Sequence, residues 1–277
     1  LGVDIFFVIS GFVITSSLFY RNDKNLIDFL RNFYSRRIKR ILPALIIFCL
    51  ISSLLACFFI QDLRMNLRTG LLSLFGVSNL YLIKWSTDYF ATSTKLNIFS
   101  QTWSLGVEEQ FYFIYPFLFW FLRPNKKNIY KFTRFTLIMI ALSIISLISF
   151  KYYLITNQSL AYYLMHSRFW EISIGSLTFF YQDFIKNTLR KKVPLGIIII
   201  FLITLIIFLP ISINIFSTFF IVILSSILIS ILEKEDFAFK LLTSKPFLKL
   251  GELSYSLYLW HWGIIVISKW TIGIHWW

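Results

Sequence analysis

Two adjacent carboxylates, Glu108 and Glu109, stand at the start of an apolar, aromatic stretch in the segment FSQTWSLGVEEQFYFIYP, residues 99–116. Ionisable side chains are costly to remove from water, so acids at a membrane boundary are functional candidates by default. The alternative is an ordinary helix start, because Asp and Glu favour the positive end of the helix dipole. We treat both carboxylates as candidate catalytic groups because other charged positions accompany them.

Those other positions also lie in apolar segments. Asp4 lies in GVDIFF, Arg168 and Glu171 lie in HSRFWEISIG, and His261 lies in SYSLYLWHW. Arg168 and Glu171 are three residues apart, so they share a helical face and could pair. His261 has an equally good alternative role as an interhelical hydrogen-bonding residue. Charged groups on four separate helices predict a polar cavity that opens to the outside.

A second cluster lies in FYSRRIKRILP, residues 33–43, where Arg36 and Arg40 are four residues apart and Arg37 is adjacent. Arginine forks suit bidentate recognition of phosphate. Two alternatives stay open. The cluster could be ordinary anchoring of a cytoplasmic segment, or it could bind anionic lipid head groups.

The composition sets the class of protein that could carry these groups. The 277 residues are 57% hydrophobic with a mean hydropathy of +0.73, which indicates a polytopic membrane protein rather than a soluble domain. The net charge of +14 does not indicate a nucleic-acid partner, because the Lys and Arg residues cluster between apolar runs. Cys49 and Cys57 share one apolar run and indicate neither a disulfide framework nor a metal site.

Apolar runs of about 20 residues predict an all-α membrane helix bundle with about eight spanning helices. The predicted spans are Gly2–Phe19, Ile41–Ile60, Leu105–Leu122, Phe132–Phe150, Ser167–Tyr181, Val193–Pro210, Ile215–Leu232 and Leu253–Ser268. A shorter run, Gly70–Ile83, is marginal in length.

The basic residues orient these spans. Of the 27 Lys and Arg residues, 20 fall in four polar segments that should face the cytoplasm, residues 21–40, 123–134, 186–192 and 233–249. Glu108 and Glu109 then belong to the outer half of the membrane and the Arg36 cluster to the inner side. The parity of the spans leaves Gly70–Ile83 as one short re-entrant or surface helix. Without an internal repeat, residues 1–277 are read as one domain, truncated at the N-terminus and expected to continue beyond residue 277.

Five sequence blocks, in order along the chain, resemble the membrane-bound acyltransferase 3 family. They are LGVDIFFVISGFVI (1–14), FYSRRIKRILPAL (33–45), QTWSLGVEEQFYFIYP (101–116), SRFWEISIG (167–175) and LGELSYSLYLWHW (250–262).

The resemblance implies a multi-pass enzyme of the bacterial cytoplasmic (inner) membrane, with membrane lipids and a glycan acceptor as partners. It implies transfer of an acyl group, most often acetyl, from cytoplasmic acyl-CoA to a sugar hydroxyl. The acceptor would be lipopolysaccharide O-antigen, exopolysaccharide, peptidoglycan or a related surface glycan, and no metal is implied.

The resemblance also assigns roles to residues. Asp4 matches the partner of a catalytic His that lies in a helix upstream of this chain. The motif arginines Arg36, Arg37 and Arg40 match the acyl-CoA-binding positions. Other matching positions line the central cavity: Trp103, Glu108, Glu109, Arg168 and Glu171. We add His261 to the cavity from its place in the last predicted span.

Two alternatives to an active acyltransferase remain. A transporter or flippase of a lipid-linked saccharide would also need a polar cavity between helices. The chain could also be an inactive, truncated copy that lacks the helix with the His.

Overall fold

The computed structural model describes the chain except residues 22, 24, 60–62, 87–95, 126–127, 190–194, 209–214, 272 and 274–277. Within the described residues every regular element is a helix. The α-helices are α1 (Gly2–Phe19), α2 (Leu26–Phe59), α3 (Leu63–Leu74), α4 (Ser78–Ser86), α5 (Trp103–Leu122), α6 (Ile129–Thr156), α7 (Gln158–Tyr163), α8 (Met165–Leu189), α9 (Leu195–Phe208), α10 (Ile215–Ile231), α11 (Phe237–Leu242) and α12 (Lys245–Thr271). A short 3₁₀ turn, Ser100–Thr102, leads into α5.

The prediction of an all-α membrane bundle is confirmed. Three of the described helices, α1, α2 and α6, are long and apolar enough to cross a membrane, and two shorter apolar helices cover Leu195–Phe208 and Phe216–Ile231. All eight predicted spans fall on helices. The terminal residues of two of them, Ile41–Ile60 and Val193–Pro210, lie outside the described residues. Large apolar side chains on α6, such as Ile145 and Ile148, are exposed and suited to lipid contact.

The segment before the second span is helical rather than a loop. We read residues 21–40 as a polar connection, but α2 begins at Leu26 and continues to Phe59 without interruption. Phe29 and Phe33 are one helical turn apart and both are buried, so this basic segment has an apolar stripe that packs against protein. The arginine motif therefore lies on a rigid helix.

The prediction of one helix over Gly70–Ile83 is wrong in its details. The structure has two short helices here, α3 and α4, joined by a tight turn. Gly76 has a φ of +67°, the left-handed conformation that ends many helices and that glycine adopts without strain. The Gly76 N–H donates to the Ser73 carbonyl (3.2 Å) and the Val77 N–H donates to the Leu72 carbonyl (3.1 Å), which together close a Schellman motif.

The chain divides into two compact units. The first unit comprises residues 1–22, 118–152 and 166–251, and the second comprises residues 23–117, 153–165 and 252–277. Val8, Trp170 and Val222 form a buried apolar cluster in the first unit. Phe48, Phe99 and Leu259 belong to a larger one in the second. The single-domain reading of residues 1–277 stays a prediction.

Candidate active site

The first unit holds a buried ionic triad formed by Asp4 of α1 with Arg168 and Glu171 of α8. Arg168 Nη2 donates to Asp4 Oδ1 at 2.6 Å, and Arg168 Nη1 lies 2.7 Å from Glu171 Oε1. None of the three side chains is more than 2% exposed. The predicted pairing of Arg168 with Glu171 is confirmed, and Asp4 joins it from 164 residues away in the chain.

Two glycines allow α1 and α8 to approach closely enough to form this triad. A Cβ on Gly11 would collide with the Ile172 carbonyl, and a Cβ on Gly175 would collide with the Val8 carbonyl. Gly11 on α1 and Gly175 on α8 are therefore both close-approach residues. Small residues that let two backbones touch are a common device for packing helices in membranes.

Gly175→Ala is expected to push α1 away from α8 and to weaken the Asp4–Arg168 contact, because the added methyl meets backbone atoms that cannot rotate aside. The measurement is the thermal unfolding midpoint of the detergent-solubilised protein, which should fall clearly. Gly251→Ala is the matched control, since a Cβ there meets nothing within 4 Å. Equal midpoints for the two variants would contradict the close packing of α1 on α8.

Aromatic rings surround the guanidinium of Arg168. Its Cζ lies 5.8 Å from the centre of the Phe7 ring and 5.3 Å from that of Phe150. Such rings add a favourable cation–π contribution while they exclude water. A buried charge is tolerated when it is well paired, and Arg168 pairs with both acids of the triad. Its contact with Asp4 holds that carboxylate in one place.

The second unit contains a cavity of about 500 Å³. Its walls come from one face of α2, from the turn between α3 and α4, from α5 and from Met165. Most of the lining is apolar, and its charged groups are Arg37 and Glu109. A chamber of this size, apolar with a few placed polar groups, is typical of a site for a small molecule.

Only one of the three arginines of the motif lines the cavity. Arg37 is half-buried and lines the cavity, whereas Arg36 and Arg40 are exposed and do not belong to the lining. The guanidinium of Arg37 lies 5.2 Å from the ring centre of Tyr112 and 5.8 Å from that of Phe33. These rings hold the charged group in a defined direction.

Only one of the two adjacent glutamates lines the cavity. Glu108 is buried, accepts a hydrogen bond from the Tyr112 hydroxyl one turn later, and attracts Arg37 electrostatically. Glu109 is only partly buried and lines the cavity. Glu108 therefore helps to position the Arg37 guanidinium without lining the cavity itself. Glu109 lines the cavity and can contact a ligand there.

The turn at Gly76 forms the wall beside Glu109. A Cβ on Gly76 would collide with the Glu109 side chain, so glycine is needed both for its backbone angle and for this contact. Gln110 Nε2 donates to the Gly76 carbonyl (3.1 Å) and to Asn79 Oδ1 (2.8 Å). Asn79 Nδ2 in turn donates to the Tyr163 carbonyl at 2.8 Å. These amides attach the turn to α5 and to the end of α7.

The structure differs from the charge-based topology at this cavity. That topology assigned Glu109 to the outer half of the membrane and Arg37 to the inner side, yet both line one chamber. Glu109 lies six residues into α5, about 9 Å along the helix axis, and Arg37 lies on the long α2 instead of in a loop. Both groups line one cavity, so both can contact one ligand.

Trp103 and His261 lie elsewhere in the second unit. The Trp103 ring is half-buried and packs edge-on against Tyr163 at 5.7 Å. His261 is exposed, and its Nδ1 lies 2.7 Å from the Tyr258 carbonyl of its own helix. Neither residue belongs to the lining of the described cavity, and their role as substrate-contacting residues stays a prediction.

The block before α5 instead attaches that helix to α12. Gln101 Nε2 donates to the Leu259 carbonyl at 2.8 Å, the Tyr258 hydroxyl donates to the Gln101 carbonyl, and Ser104 Oγ lies 2.5 Å from that hydroxyl. Polar groups buried in a membrane protein need such partners. Part of the QTWSL and SYSLYLW blocks is thus explained by packing.

Four residues of the cavity region were not among the residues predicted from the sequence: Gly76, Asn79, Gln110 and Tyr112. A glycine and a buried amide inside the apolar run 70–83 were signals of a turn with hydrogen bonds to satisfy. Tyr112 lies one helical turn after Glu108, which was a signal for a hydroxyl–carboxylate contact.

Tyr112→Phe is expected to lower the free energy of unfolding by about 1–3 kcal/mol, because it removes the hydroxyl that donates to buried Glu108. Tyr112→Leu should cost more, since it also removes the ring beneath Arg37. Unfolding of the detergent-solubilised variants measures both effects. Phe121→Leu on the same helix alters an exposed side chain and should change little. A Tyr112→Phe protein as stable as wild type would contradict the Glu108 contact.

The fold defines a polytopic α-helical membrane protein with a buried ionic triad in its first unit and an apolar, ligand-sized cavity in its second. Comparison with known families makes this more specific. The family described as acyltransferase domain (acyltransferase 3) matches residues 1–277, so the chain belongs to that family. The predicted family, and with it the class of acyltransferases, is confirmed.

Curated relatives agree with the family. The O-acetyltransferase OatA of Staphylococcus aureus (strain NCTC 8325 / PS 47) is 34% identical over 290 residues, which cover 96% of this chain and 46% of that protein. The peptidoglycan O-acetyltransferase OatA of Listeria monocytogenes serovar 1/2a (strain ATCC BAA-679 / EGD-e) is 32% identical over 288 residues, covering 97% and 45%. The chain thus spans about half the length of these relatives. No solved structure matches it.

Proposed function

We propose that the chain is the membrane domain of an O-acyltransferase that moves an acetyl group from acyl-CoA to a sugar hydroxyl of peptidoglycan. The observation that carries this proposal is the apolar cavity of the second unit, in which Arg37 and Glu109 are both available to one ligand. The family supports acyl transfer as the reaction. The bacterial cytoplasmic membrane is the location that fits these relatives and the apolar helices.

The reaction makes defined demands on the residues. The acceptor oxygen forms a bond to the thioester carbonyl carbon, the carbon–sulfur bond breaks, the hydroxyl proton goes to a base, and the departing sulfur takes up a proton. We assign Arg37 to holding the donor and Glu109 to proton transfer at the departing sulfur, because both line the cavity.

The acceptor hydroxyl needs its own base. The family resemblance implies a His as that base, with Asp4 as its partner. A carboxylate beside an imidazole fixes its tautomer and stabilises its protonated form. Arg168 supports this role, since it holds Asp4 Oδ1 at 2.6 Å. We therefore assign Asp4 to activation of the acceptor.

Peptidoglycan is the acceptor that the relatives favour. The listerial relative is named as a peptidoglycan O-acetyltransferase, and the staphylococcal relative is named as an O-acetyltransferase. Lipopolysaccharide and exopolysaccharide, which we also considered from the sequence, have no comparable support among these two proteins. Acetyl is favoured over longer acyl groups for the same reason.

The test uses the full-length protein in a strain from which its gene has been deleted. Asp4→Asn is expected to reduce base-released acetate from purified peptidoglycan to the level of the deletion strain, and Arg37→Ala is expected to reduce it well below the wild-type level. Both variants should reach the membrane in wild-type amounts. Wild-type acetylation in either variant would refute the assigned roles. Movement of a lipid-linked saccharide without consumption of acetyl-CoA would favour a transporter instead.

A further inference from the structure

We infer that the cavity of the second unit binds the uncharged acyl-pantetheine arm of the donor, and that Arg37, not Arg36 or Arg40, contacts that arm. This inference rests on the proposed function and adds to it. The family resemblance assigns all three arginines to acyl-CoA together. The structure assigns them to different surroundings.

The geometry of α2 separates the arginines. The cavity-lining residues of α2 follow a helical spacing of i, i+3, i+4, i+7 and i+8: Tyr34, Arg37, Ile38, Ile41 and Leu42. With 3.6 residues per turn, these positions cover one arc of the helix. Arg36, Lys39 and Arg40 occupy the remaining arc, and all three are exposed. Their side chains start from the side of α2 that faces away from the cavity.

The chemistry of the walls indicates which part of the donor enters. Coenzyme A has a polyanionic nucleotide head and an uncharged arm that ends in the thioester. Leu74, Phe75 and Val77 line the cavity together with the apolar residues of α2, and Glu109 adds a carboxyl group. Several phosphates beside that carboxyl and one guanidinium would lose their hydration without enough compensation. An uncharged arm with carbonyl acceptors suits the same walls.

The surroundings of Arg37 suit a single, directed hydrogen-bond donor. The Tyr112 ring lies beneath its guanidinium, and buried Glu108 attracts it from the protein side. Part of the charge is thus compensated by the protein itself, so the group does not require a phosphate. A guanidinium held in this way can donate to a carbonyl of the arm.

This arrangement leaves Arg36 and Arg40 to anions outside the cavity. Those anions are either the phosphates of the nucleotide head or the phosphates of lipids. The two sources differ in one measurable respect. Only contacts to the head affect the use of acetyl-CoA without affecting a donor that lacks the nucleotide.

The experiment compares two donors, acetyl-CoA and S-acetylpantetheine, which has the arm but no nucleotide. Release of free thiol by the full-length protein in membrane vesicles gives KM and kcat for each. Arg37→Ala is expected to raise KM at least 10-fold for both donors. Arg36→Ala and Arg40→Ala should leave S-acetylpantetheine unchanged, and should raise KM for acetyl-CoA only if they contact the head. Lys39→Ala, on the exposed arc, is the matched control for both donors.

Two results would overturn the inference. One is an Arg37→Ala protein that loses affinity for acetyl-CoA but uses S-acetylpantetheine normally, because Arg37 would then bind the head. The other is a 10-fold loss for S-acetylpantetheine in Arg36→Ala or Arg40→Ala. If Arg37→Ala does not accumulate in membranes, Arg37→Lys keeps the charge, loses the planar fork and should raise KM for both donors. Absence of thiol release by wild type with acetyl-CoA would instead refute the proposed function.

Discussion

Arg168→Gln is expected to be the most destabilising of the substitutions in the ionic triad. It removes the guanidinium that contacts the carboxylates of both Asp4 and Glu171, and all three side chains are buried. Removal of one partner from a buried ion pair costs about 3–5 kcal/mol, because the charge that stays behind is not compensated. The measurement is the free energy of unfolding of the detergent-solubilised protein, with O-acetylation of the cell wall as a second readout.

Single changes at the two acids provide the comparison. Glu171→Gln retains the 2.6 Å contact between Arg168 and Asp4, and Asp4→Asn retains the contact between Arg168 and Glu171. Each of these variants keeps one acid with one base, so each should lose less stability than Arg168→Gln. Of the two acids in the triad, only Asp4 is assigned to catalysis. Glu171→Gln should therefore also keep more acetylation than Asp4→Asn. Equal losses of stability in all three variants would show that charge balance does not stabilise the triad.

Local spacing predicted the parts of this triad that lie on one helix. Arg168 and Glu171 are three residues apart, and the regular geometry of a helix fixes such neighbours before any tertiary contact forms. The contact between Asp4 and Arg168 spans 164 residues, and only the packing of α1 against α8 could reveal it.

The sequence did not predict how the second unit would separate similar residues. Arg36, Arg37 and Arg40 form one motif, and Glu108 and Glu109 form one pair, yet only Arg37 and Glu109 among them line the cavity. Periodicity places adjacent residues about 100° apart around a helix, so they must face different surroundings. Which face meets the cavity depends on the partners of α2 and α5, and those partners come from distant parts of the chain.

The turn at Gly76 shows a different reason for a wrong prediction. Hydropathy averaged over residues 70–83 describes one short apolar helix, because Phe75 and Val77 conceal the glycine between them. The left-handed backbone of Gly76 nevertheless ends α3 and turns the chain into α4. An average over a window measures burial well and chain direction poorly. Averaged hydropathy therefore gave no sign of Gly76, the residue whose turn forms part of the cavity wall.

Glu109→Gln is expected to lower kcat for acetyl transfer by about 10²-fold or more, with little change in the KM for acetyl-CoA. The amide has nearly the same size and can still occupy the space beside Gly76, but it cannot transfer a proton. General acid–base catalysis by one positioned side chain commonly contributes about 10²–10⁴-fold to the rate. Steady-state kinetics of thiol release by the full-length protein would separate the two parameters.

Glu108→Gln is the natural comparison, because it changes the adjacent carboxylate that does not line the cavity. Glu108 attracts Arg37 and accepts the Tyr112 hydroxyl, so its loss should act on donor binding through Arg37 and should raise KM more than it lowers kcat. The two neighbouring substitutions are thus expected to have opposite kinetic signatures. If Glu109→Gln raised KM and Glu108→Gln lowered kcat, the assignment of the proton-transfer role to the cavity-lining acid would be reversed.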